Sequence, residues 1–401
     1  MTTEPSDPRS QRVQGLSASV TLAITAKAKE LRAQGIDVIG FGAGEPDFPT
    51  PAHIVEAAQR ACADPTNHRY TPAGGQPALR EAIAARTSER SGLSCSAGQV
   101  IVANGGKHAL FQAFQALIDP GDEVLLPAPY WVSYPEQIAL AGGQVVVLPT
   151  TAEQGWRVTV EQLEQALTPR TKVLCFTSPN NPTGAVYPPE DVEAIGRWAL
   201  ERGLWVITDE IYEQLVYGSA RHVSMPVVVP ELAERCVVVS GVAKTYAMTG
   251  WRVGWSIAPQ AVTSAISKLQ SHATSNVANV SQAAALAALE GPQDFVAQLR
   301  ATYDRRRLAT YERLSAIPGV SCPLPEGAFY VFPSLQGALG RTYDGREVHT
   351  SLELCEFLLE HANVALVPGE GFGAPGSARL SYALSDEDLE RGLERIASAL
   401  A

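Results

Sequence analysis

Short apolar stretches rich in β-branched residues alternate with helical patterns along the middle of this chain. The stretch LWVIT at residues 204–208 is almost wholly apolar, and polar residues that begin a turn or a helix follow it. Strands that alternate with helices in this way are typical of a mostly parallel sheet. We predict strands at residues 36–41, 100–103, 123–126, 144–148, 172–176, 204–208, 237–240 and 253–257. The expected fold class is therefore α/β, with a mostly parallel central sheet flanked by helices.

Apolar residues at helical spacing predict the helices that separate and follow these strands. They are expected at residues 16–33, 54–63, 76–90, 107–117, 295–316 and 387–400. A chain of 401 residues is long enough for two domains, and the pattern changes after about residue 290. We expect an N-terminal segment at residues 1–50 that packs with a small domain, a large domain at 51–290, and a small α+β domain at 291–401.

The charge balance argues against two classes of partner. Lys and Arg together number 31 and Asp and Glu number 42, so the formal net charge is −11. Nucleic acids and anionic membrane surfaces both require concentrated positive charge on the protein, so we expect neither as a partner. No stretch approaches the roughly 18 consecutive apolar residues of a membrane-spanning helix.

The remaining compositional signals favour a cytoplasmic location. Residues 1–13 lack the apolar core of a secretory signal, and the six cysteines include no CxxC pair, which favours free thiols over disulfides. The seven histidines show no metal-ligand spacing, so no metal is expected.

A polar turn motif, SPNNPTG, occupies residues 178–184, directly after the predicted strand at 172–176. Pro, Asn and Gly are turn-forming residues, so the motif can be explained as a turn alone. The carboxyl end of a strand in an open α/β sheet is also where ligands bind. Both interpretations remain open for this motif by itself.

The motif DEIY at residues 209–212 follows the predicted strand at 204–208. Asp209 is either the cap of a following helix or a carboxylate that emerges from a buried strand. In the second case Tyr212, one helical turn later, lies on the same side.

The third motif, SGVAKTYAMTGWRVG, spans residues 240–254. Lys244 lies just past the predicted strand at 237–240, among small and apolar neighbours. An isolated Lys is usually a solvated surface charge, but desolvation would lower its pKa and make it a nucleophile that forms Schiff bases. Arg252, eight residues later, is suited to hold a phosphate.

In combination and in this order, the three motifs resemble the class I pyridoxal-phosphate-dependent aminotransferases of fold type I, in particular the bacterial aspartate aminotransferases. The resemblance extends from about residue 20 to residue 400. Further matching motifs are AGEPDF at 43–48, YTPAG at 70–74, GGK at 105–107, PYW at 129–131, GAFY at 327–330 and RLSY at 379–382.

The resemblance implies pyridoxal 5′-phosphate as the cofactor and a role for each matched residue. Lys244 would form the Schiff base and then move the proton, while Asp209 would hold the ring nitrogen. Tyr212 and Asn181 would bond the phenolic oxygen, and Trp131 would stack on the ring. The phosphate end would be met by the remaining matched residues, namely Gly105, Gly106, Lys107, Arg252 and, from a neighbouring subunit, Tyr70. The protein is thus expected to be a homodimer with shared active sites.

The substrate residues also follow from the resemblance. Arg379 would bind the α-carboxylate as a bidentate pair, with the backbone of Gly44, and Trp131 and Asn181 would also contact the substrate. Lys107 and Thr21 would bind a distal carboxylate, which implies aspartate and glutamate with 2-oxoglutarate and oxaloacetate. The same Lys and Thr mark relatives that transaminate prephenate, so that activity is a further expectation. Ala243 departs from the pattern, since many relatives have Ser there.

Three alternatives were weighed. Lys107 is also explained as a surface residue at a helix N-terminus. The same fold serves aromatic and alanine aminotransferases and β-lyases, because side-chain specificity depends on few contacts. Regulators with this fold carry a separate N-terminal DNA-binding domain, for which the roughly 15 residues before the match and the acidic composition are unsuited.

Overall fold

A seven-stranded sheet forms the centre of the larger part of the protein, seen in a computed structural model that describes residues 8–17 and 20–401, without the side chains of residues 20–23 and 25. Its strands are β2 Val100–Ala103, β3 Glu123–Ala128, β4 Gln144–Pro149, β5 Thr171–Thr177, β6 Trp205–Asp209, β7 Cys236–Gly241 and β8 Gly254–Ile257, in the order β2-β8-β7-β6-β5-β3-β4. The pairs among β7, β6, β5, β3 and β4 are parallel, whereas β8 is antiparallel to both of its neighbours. The expected α/β class with a mostly parallel central sheet is therefore confirmed.

Helices pack on both faces of this sheet and continue into the C-terminal part. They are α1 Gln11–Gln14, α2 Val20–Ala33, α3 Ala52–Ala63, α4 Pro77–Ser91, α5 Gly106–Leu117, α6 Ser133–Leu140, α7 Val160–Ala166, α8 Pro189–Glu201, α9 Met225–Val228, α10 Gln260–Ala273, α11 Asn279–Glu290, α12 Asp294–Ser315, α13 Ser351–His361 and α14 Asp386–Ala399. The remaining strands are β1 Ile39–Gly40, β9 Tyr330–Val331, β10 Arg341–Tyr343, β11 Arg346–Val348, β12 Val364–Ala365, β13 Val367–Pro368 and β14 Ala378–Ser381.

The seven predicted strands of the central sheet are all present, with ends that differ by one or two residues. The predicted helix at residues 16–33 begins too early, because α1 ends at Gln14 and Leu16 and Ser17 belong to no helix, while α2 begins at Val20. The backbone N–H of Ser17 donates to Glu136 Oε2 at 3.2 Å, across the fold. The first predicted strand, at 36–41, is shorter in the structure. It consists only of β1, which pairs with the two residues of β12.

Alternating side chains of the central strands enter two separate cores, one on each face of the sheet. In β5, Leu174 and Phe176 belong to one core and Val173 and Cys175 to the other. Apolar residues on both faces are typical of parallel strands covered by helices on each side. This double coverage explains why the strands appear in the sequence as nearly continuous apolar runs.

A further core forms around the C-terminal helices and the three-stranded sheet of β13, β14 and β9. Ile39 and Phe41 contribute to this core, and β1 pairs in parallel with β12. The backbone around residue 40 is thus attached to the C-terminal part. The domain boundaries at residues 50 and 290 stay predictions.

Two further features concern the whole described chain. No helix within it is both long and apolar enough to cross a membrane. All six cysteines are free, but only Cys175, Cys236 and Cys355 are buried, and Cys62 is exposed.

Candidate active site

A cavity of about 1110 Å³ opens at the carboxyl ends of the central strands. Three neighbouring strands each deliver one group to it: Asn181 from the loop after β5, Asp209 from the end of β6, and Lys244 from the segment after β7. The register pairs Thr177 with Asp209 and Asp209 with Val239, so the three loops start side by side. The carboxyl ends of parallel strands are the usual ligand site of open α/β sheets.

Most of the residues predicted for the site line this cavity. They are Gly44, Gly106, Lys107, Trp131, Asn181, Asp209, Tyr212, Lys244, Arg252 and Arg379. Gly105 lies directly behind Gly106, and a side chain there would meet the Arg252 guanidinium. Tyr70 is not among the lining residues and is 91% exposed. The side chain of Thr21 lies outside the described residues.

Lys244 is enclosed by protein and opens only toward the cavity. Its Nζ donates to the carbonyl oxygen of Gly44 and faces the rings of Tyr212 and Phe329, at 5.9 Å and 5.7 Å from their centroids. Burial, together with the positive charge of Arg379, lowers the pKa of Lys244 to about 8. The interpretation of Lys244 as a solvated surface charge is therefore wrong, and a substantial fraction of the amine is unprotonated near neutral pH.

Asp209 is a buried carboxylate that ends β6. Its Oδ2 accepts a hydrogen bond from the Tyr134 hydroxyl at 2.9 Å, and its Oδ1 accepts from the backbone N–H of Ile211 at 3.1 Å. Burial raises the pKa of Asp209 to about 6 in spite of these two donors. Within the described chain no Lys, Arg or His forms an ion pair with it, so it can still accept a charged donor from a ligand.

The segment after Asp209 forms turns and no α-helix, so the interpretation of Asp209 as a helix cap is wrong. Tyr212 nevertheless lines the same cavity, because the turn brings it back to the side of Asp209. Its hydroxyl shares a hydrogen bond of 2.8 Å with the Tyr330 hydroxyl, and burial, with Tyr330 beside it, raises the pKa of Tyr212 well above its usual value.

Arg379 is a fully buried cation without a carboxylate partner in the described chain. Its Nη1 donates to Asn181 Oδ1 at 3.0 Å and its Nη2 to the carbonyl oxygen of Gly42 at 2.8 Å, while its Nε has no partner. The guanidinium lies over the rings of Tyr330 and Phe372, at 4.5 Å and 5.1 Å from their centroids. A buried guanidinium held in place by neutral acceptors is suited to bind an anion, above all a carboxylate.

A second positive region lies at the N-terminus of α5. Gly105 has a φ of +86°, which glycine adopts without strain, and this turn directs the chain into the helix. Arg252 donates to the carbonyl oxygens of Thr249 at 3.0 Å and Asn104 at 3.3 Å, which holds its guanidinium beside Gly105. A helix N-terminus with an adjacent Arg is suited to bind a phosphate.

Lys107, in the first turn of α5, points over the cavity wall formed by Trp131, with Nζ 4.8 Å from the ring centroid. Burial and the nearby charge of Arg252 lower the pKa of Lys107. Its side chain is exposed at the helix N-terminus and also lines the cavity, so the geometry fits both interpretations of Lys107, as a surface residue and as a ligand-binding residue.

Two residues of the site carried no assigned role in the sequence. Tyr330 belongs to the GAFY motif, which marked it without indicating a contact. Tyr134 is fully buried and hydrogen-bonds both Asp209 and Thr177, each at 2.9 Å. Its position one helical turn after Trp131 was the available signal, since both face the same side of the start of α6.

This set of groups fits pyridoxal 5′-phosphate. The cofactor offers an aldehyde for an amine of lowered pKa, a ring nitrogen for an unpaired carboxylate, and a phosphate for a cationic helix N-terminus. Lys244, Asp209 and Arg252 supply these three groups, and Trp131 offers a ring face. The fit rests on the donor set and on the unpaired state of Asp209 and Arg379.

Comparison with known proteins agrees with this chemistry. The model of the family "Aminotransferase class I and II" matches residues 36–396. An aspartate aminotransferase of Streptomyces avermitilis is 59% identical over 100% of this chain and 98% of its own length. A probable aspartate/prephenate aminotransferase of Aquifex aeolicus is 46% identical over 97% of this chain and 98% of its own. The solved structure of the Thermus thermophilus aspartate aminotransferase with maleate superposes with a TM-score of 0.92, at 44% identity, covering 98% of this chain and 100% of that one.

The raised pKa of Asp209 leads to a stability prediction for the ligand-free protein. The folded state holds the Asp209 proton up to about pH 6, whereas an unfolded Asp loses it near pH 3.8, so stability declines as the pH rises between these values. The Asp209→Asn variant cannot ionise and keeps an acceptor for Tyr134. It should be more stable than the wild type at pH 8 by about 3 kcal/mol, in denaturant unfolding.

The control is the same comparison at about pH 4.5, where most of this difference should vanish because folded Asp209 is protonated. A variant that is no more stable at pH 8, or equally stabilised at both pH values, would contradict the assignment.

Proposed function

Because the chain belongs to the class I and II aminotransferase family, whose aspartate aminotransferases use pyridoxal 5′-phosphate, we propose that it transfers the amino group of L-aspartate to 2-oxoglutarate. The products are oxaloacetate and L-glutamate. The observation that carries the proposal is one cavity with an amine of lowered pKa, a carboxylate without a cation and a guanidinium without a carboxylate, namely Lys244, Asp209 and Arg379. The bound cofactor supplies an electron sink for the carbanion formed at the substrate α-carbon.

In this proposal Lys244 binds the cofactor and then acts as the base and acid of the reaction. Its Nζ would accept the proton from the substrate α-carbon and would then donate it as the general acid. With a pKa of about 8, the amine exists in both protonation states near neutral pH, which general acid–base catalysis requires. The surroundings that cause this pKa, burial and Arg379, belong to the same cavity.

Asp209 keeps the cofactor ring nitrogen protonated by accepting its N–H. The Tyr134 hydroxyl and the Ile211 N–H hold the carboxylate in one orientation. Tyr212 and Asn181 would bond the phenolic oxygen, and Trp131 would cover one ring face. The phosphate would be held by Gly105, Gly106 and Arg252, with Lys107 close to it, at the start of α5.

Arg379 would bind the substrate α-carboxylate together with the backbone of Gly44. Two of its nitrogens are already fixed by Asn181 and Gly42, so the guanidinium is oriented before the substrate arrives. Preorganisation of this kind limits the entropy lost on binding. The bond from Arg379 to Asn181 also joins the substrate group to a cofactor group.

The choice of a dicarboxylic substrate depends on a second cation. Lys107 lines the cavity with an exposed side chain, and with Thr21 it would bind the distal carboxylate. The names of the relatives support this choice, since they include aspartate and aspartate/prephenate aminotransferases, and the Thermus structure holds maleate, a dicarboxylate. Transamination of prephenate is the second candidate, on the ground of the Aquifex name.

A homodimer with shared sites accounts for Tyr70. Its side chain is 91% exposed and outside the cavity lining, an unusual position for a large aromatic residue predicted to contact the phosphate. A neighbouring subunit that receives Tyr70 would cover it. The free cysteines suit a reducing compartment, which supports the expected cytoplasmic location.

The function is tested by following the absorbance of the purified holoprotein during titration with L-aspartate, L-alanine and L-phenylalanine. Aspartate at low concentration should remove the visible band of the bound cofactor and produce the near-ultraviolet band of its aminated form. The Lys244→Ala variant should retain the cofactor and lose at least about 10³-fold in turnover. A response only to alanine or phenylalanine would keep the reaction and replace the substrate, whereas release of pyruvate or ammonia would identify a β-lyase.

Lys107 can be tested separately as the determinant of dicarboxylate preference. Lys107→Ala should lower the ratio of kcat/KM for aspartate to kcat/KM for alanine by about 10- to 100-fold, because a charge-assisted contact to the distal carboxylate is lost. Lys268→Ala, at an exposed position of α10, is the matched control and should leave the ratio unchanged. An equal fall for both substrates would show that Lys107 serves only the cofactor.

Tyr70 can be tested by mixing two defective variants. Lys244→Ala and Tyr70→Ala subunits, co-refolded, should form mixed dimers in which one of the two sites has both residues. Random pairing would then restore about a quarter of the wild-type activity. A mixture of Lys244→Ala with Arg252→Ala should show no such recovery. Each site takes both of these residues from the same subunit, so each site of a mixed dimer still carries one defect. Absence of recovery in the first mixture as well would place Tyr70 outside the site.

A further inference from the structure

A buried polar cluster follows β6 next to the site, and its members, Glu210, His222 and Ser224, are not among the residues that line the cavity. Glu210, the residue after Asp209, is almost fully buried, and its two carboxylate oxygens have separate partners. Oε1 accepts from Ser224 Oγ at 2.8 Å and from Thr208 Oγ1 at 3.2 Å, while Oε2 lies 3.2 Å from His222 Nε2. A buried carboxylate is costly unless it is paired, so His222 and Ser224 together compensate Glu210.

His222 contacts the first residue after each of two strands, β5 and β6, whose loops supply groups to the cavity. Besides Glu210, its ring lies beside the backbone of Ser178, which opens the loop that carries Asn181. The pairing of Thr177 with Asp209 places Ser178 and Glu210 as neighbours at the ends of β5 and β6. The side chain of His222 is only 9% exposed and bridges them.

We propose that His222 is a positioning residue that braces the strand end carrying Asp209 against the loop carrying Asn181. The inference rests on the proposed function, in which these two residues hold the cofactor ring. His222 also affects the charge of Asp209 through Glu210. The carboxylate of Glu210 raises the pKa of its neighbour Asp209, so a cation beside Glu210 favours the ionised Asp209 that accepts the ring N–H.

The charges around His222 favour its protonated form. Burial by itself would lower the pKa of His222, but the hydrogen bond and charge of Glu210, together with Glu213, raise it above its usual value. Beyond Glu213 lies Arg90, with Nη1 3.9 Å from the Glu213 carboxylate. The cluster thus places two carboxyl groups beside an imidazole and a guanidinium, and burial raises the pKa of Glu213.

A metal site is the other arrangement that these side chains suggest. Glu210, Glu213 and His222 place ligand atoms within 4.8 Å of one another. Each carboxyl group already has a protein partner, however, with Glu210 beside His222 and Glu213 beside Arg90. The ion-pair arrangement therefore explains the cluster without a further ligand.

The test uses His222→Gln, which keeps a neutral hydrogen-bond donor and removes the charge. His272→Gln, at an exposed position of α10, is the matched control. The readout is the equilibrium affinity of the apoprotein for pyridoxamine 5′-phosphate, which forms no bond to Lys244 and so reports the contacts of the ring and phosphate alone. His222→Gln should bind about tenfold more weakly than the wild type and His272→Gln within about twofold, in the range of coupled neighbours.

A double variant distinguishes a positioning role of His222 from a general loss of structure. In a Glu210→Gln background the charge that His222 compensates is absent, so adding His222→Gln should weaken binding by no more than about threefold. Equal binding by His222→Gln and His272→Gln, or losses that simply multiply in the double variant, would overturn the proposal.

A second measurement keeps the test decisive if His222→Gln fails to fold. In the wild type, nitrogen-detected titration of the imidazoles should show one histidine with a pKa above the usual value, and that pKa should fall in Glu210→Gln. Histidines that all titrate at or below the usual value would overturn the proposal. Aspartate turnover enters neither readout, so failure of the proposed substrate and failure of the brace remain distinguishable.

Discussion

Three ionisable groups, enclosed in one cavity without an ion-pair partner among the described residues, are the constraint on which the rest of the site depends. Lys244, Asp209 and Arg379 each lose hydration on folding, and burial shifts the pKa of each toward the neutral form. Such an arrangement costs folding free energy, which the apolar cores on both faces of the sheet must offset. Its benefit is chemical, because an amine near pKa 8 and an unpaired guanidinium are ready for a ligand that supplies the missing charges.

The sheet fixes the relative positions of these groups. Parallel strands end at one edge, and the register of β5, β6 and β7 fixes where the chain leaves each strand. Neutral hydrogen-bond partners then set the orientation of each charged group without neutralising it: Tyr134 for Asp209, and Asn181 with the Gly42 carbonyl for Arg379. Full ion pairs occur one layer farther back, at Glu210 and His222, where charge compensation does not compete with ligand binding.

The features that sequence reasoning predicted are those with a local cause. The central strands are apolar on both faces, so their periodicity was visible, and the groups at their carboxyl ends followed from the parallel topology. The start of α2 was missed because apolar spacing does not fix a helix end, and a contact distant in sequence, from Ser17 to Glu136, lies just before it. Tyr134 and His222 were missed for a related reason: each acts on a strand far from its own position, at Asp209 and at Glu210. Asp209 itself fits two local patterns, and only the turn that follows it distinguishes them.

The opposed charges of the site also determine how the protein responds to its cofactor. In the ligand-free state, near neutral pH, burial disfavours the charged forms of both Asp209 and Lys244. A protonated ring nitrogen of the proposed cofactor would give Asp209 a positive partner, and the cofactor's aldehyde would react with the neutral form of the Lys244 amine, which burial favours. A bound phosphate would likewise place negative charge beside Arg252 and the N-terminus of α5. Because each contact is made only in the folded state, binding should stabilise the fold as free ligand exceeds its dissociation constant. A ligand of complementary charge would thus recover part of the folding free energy that the burial of these groups costs.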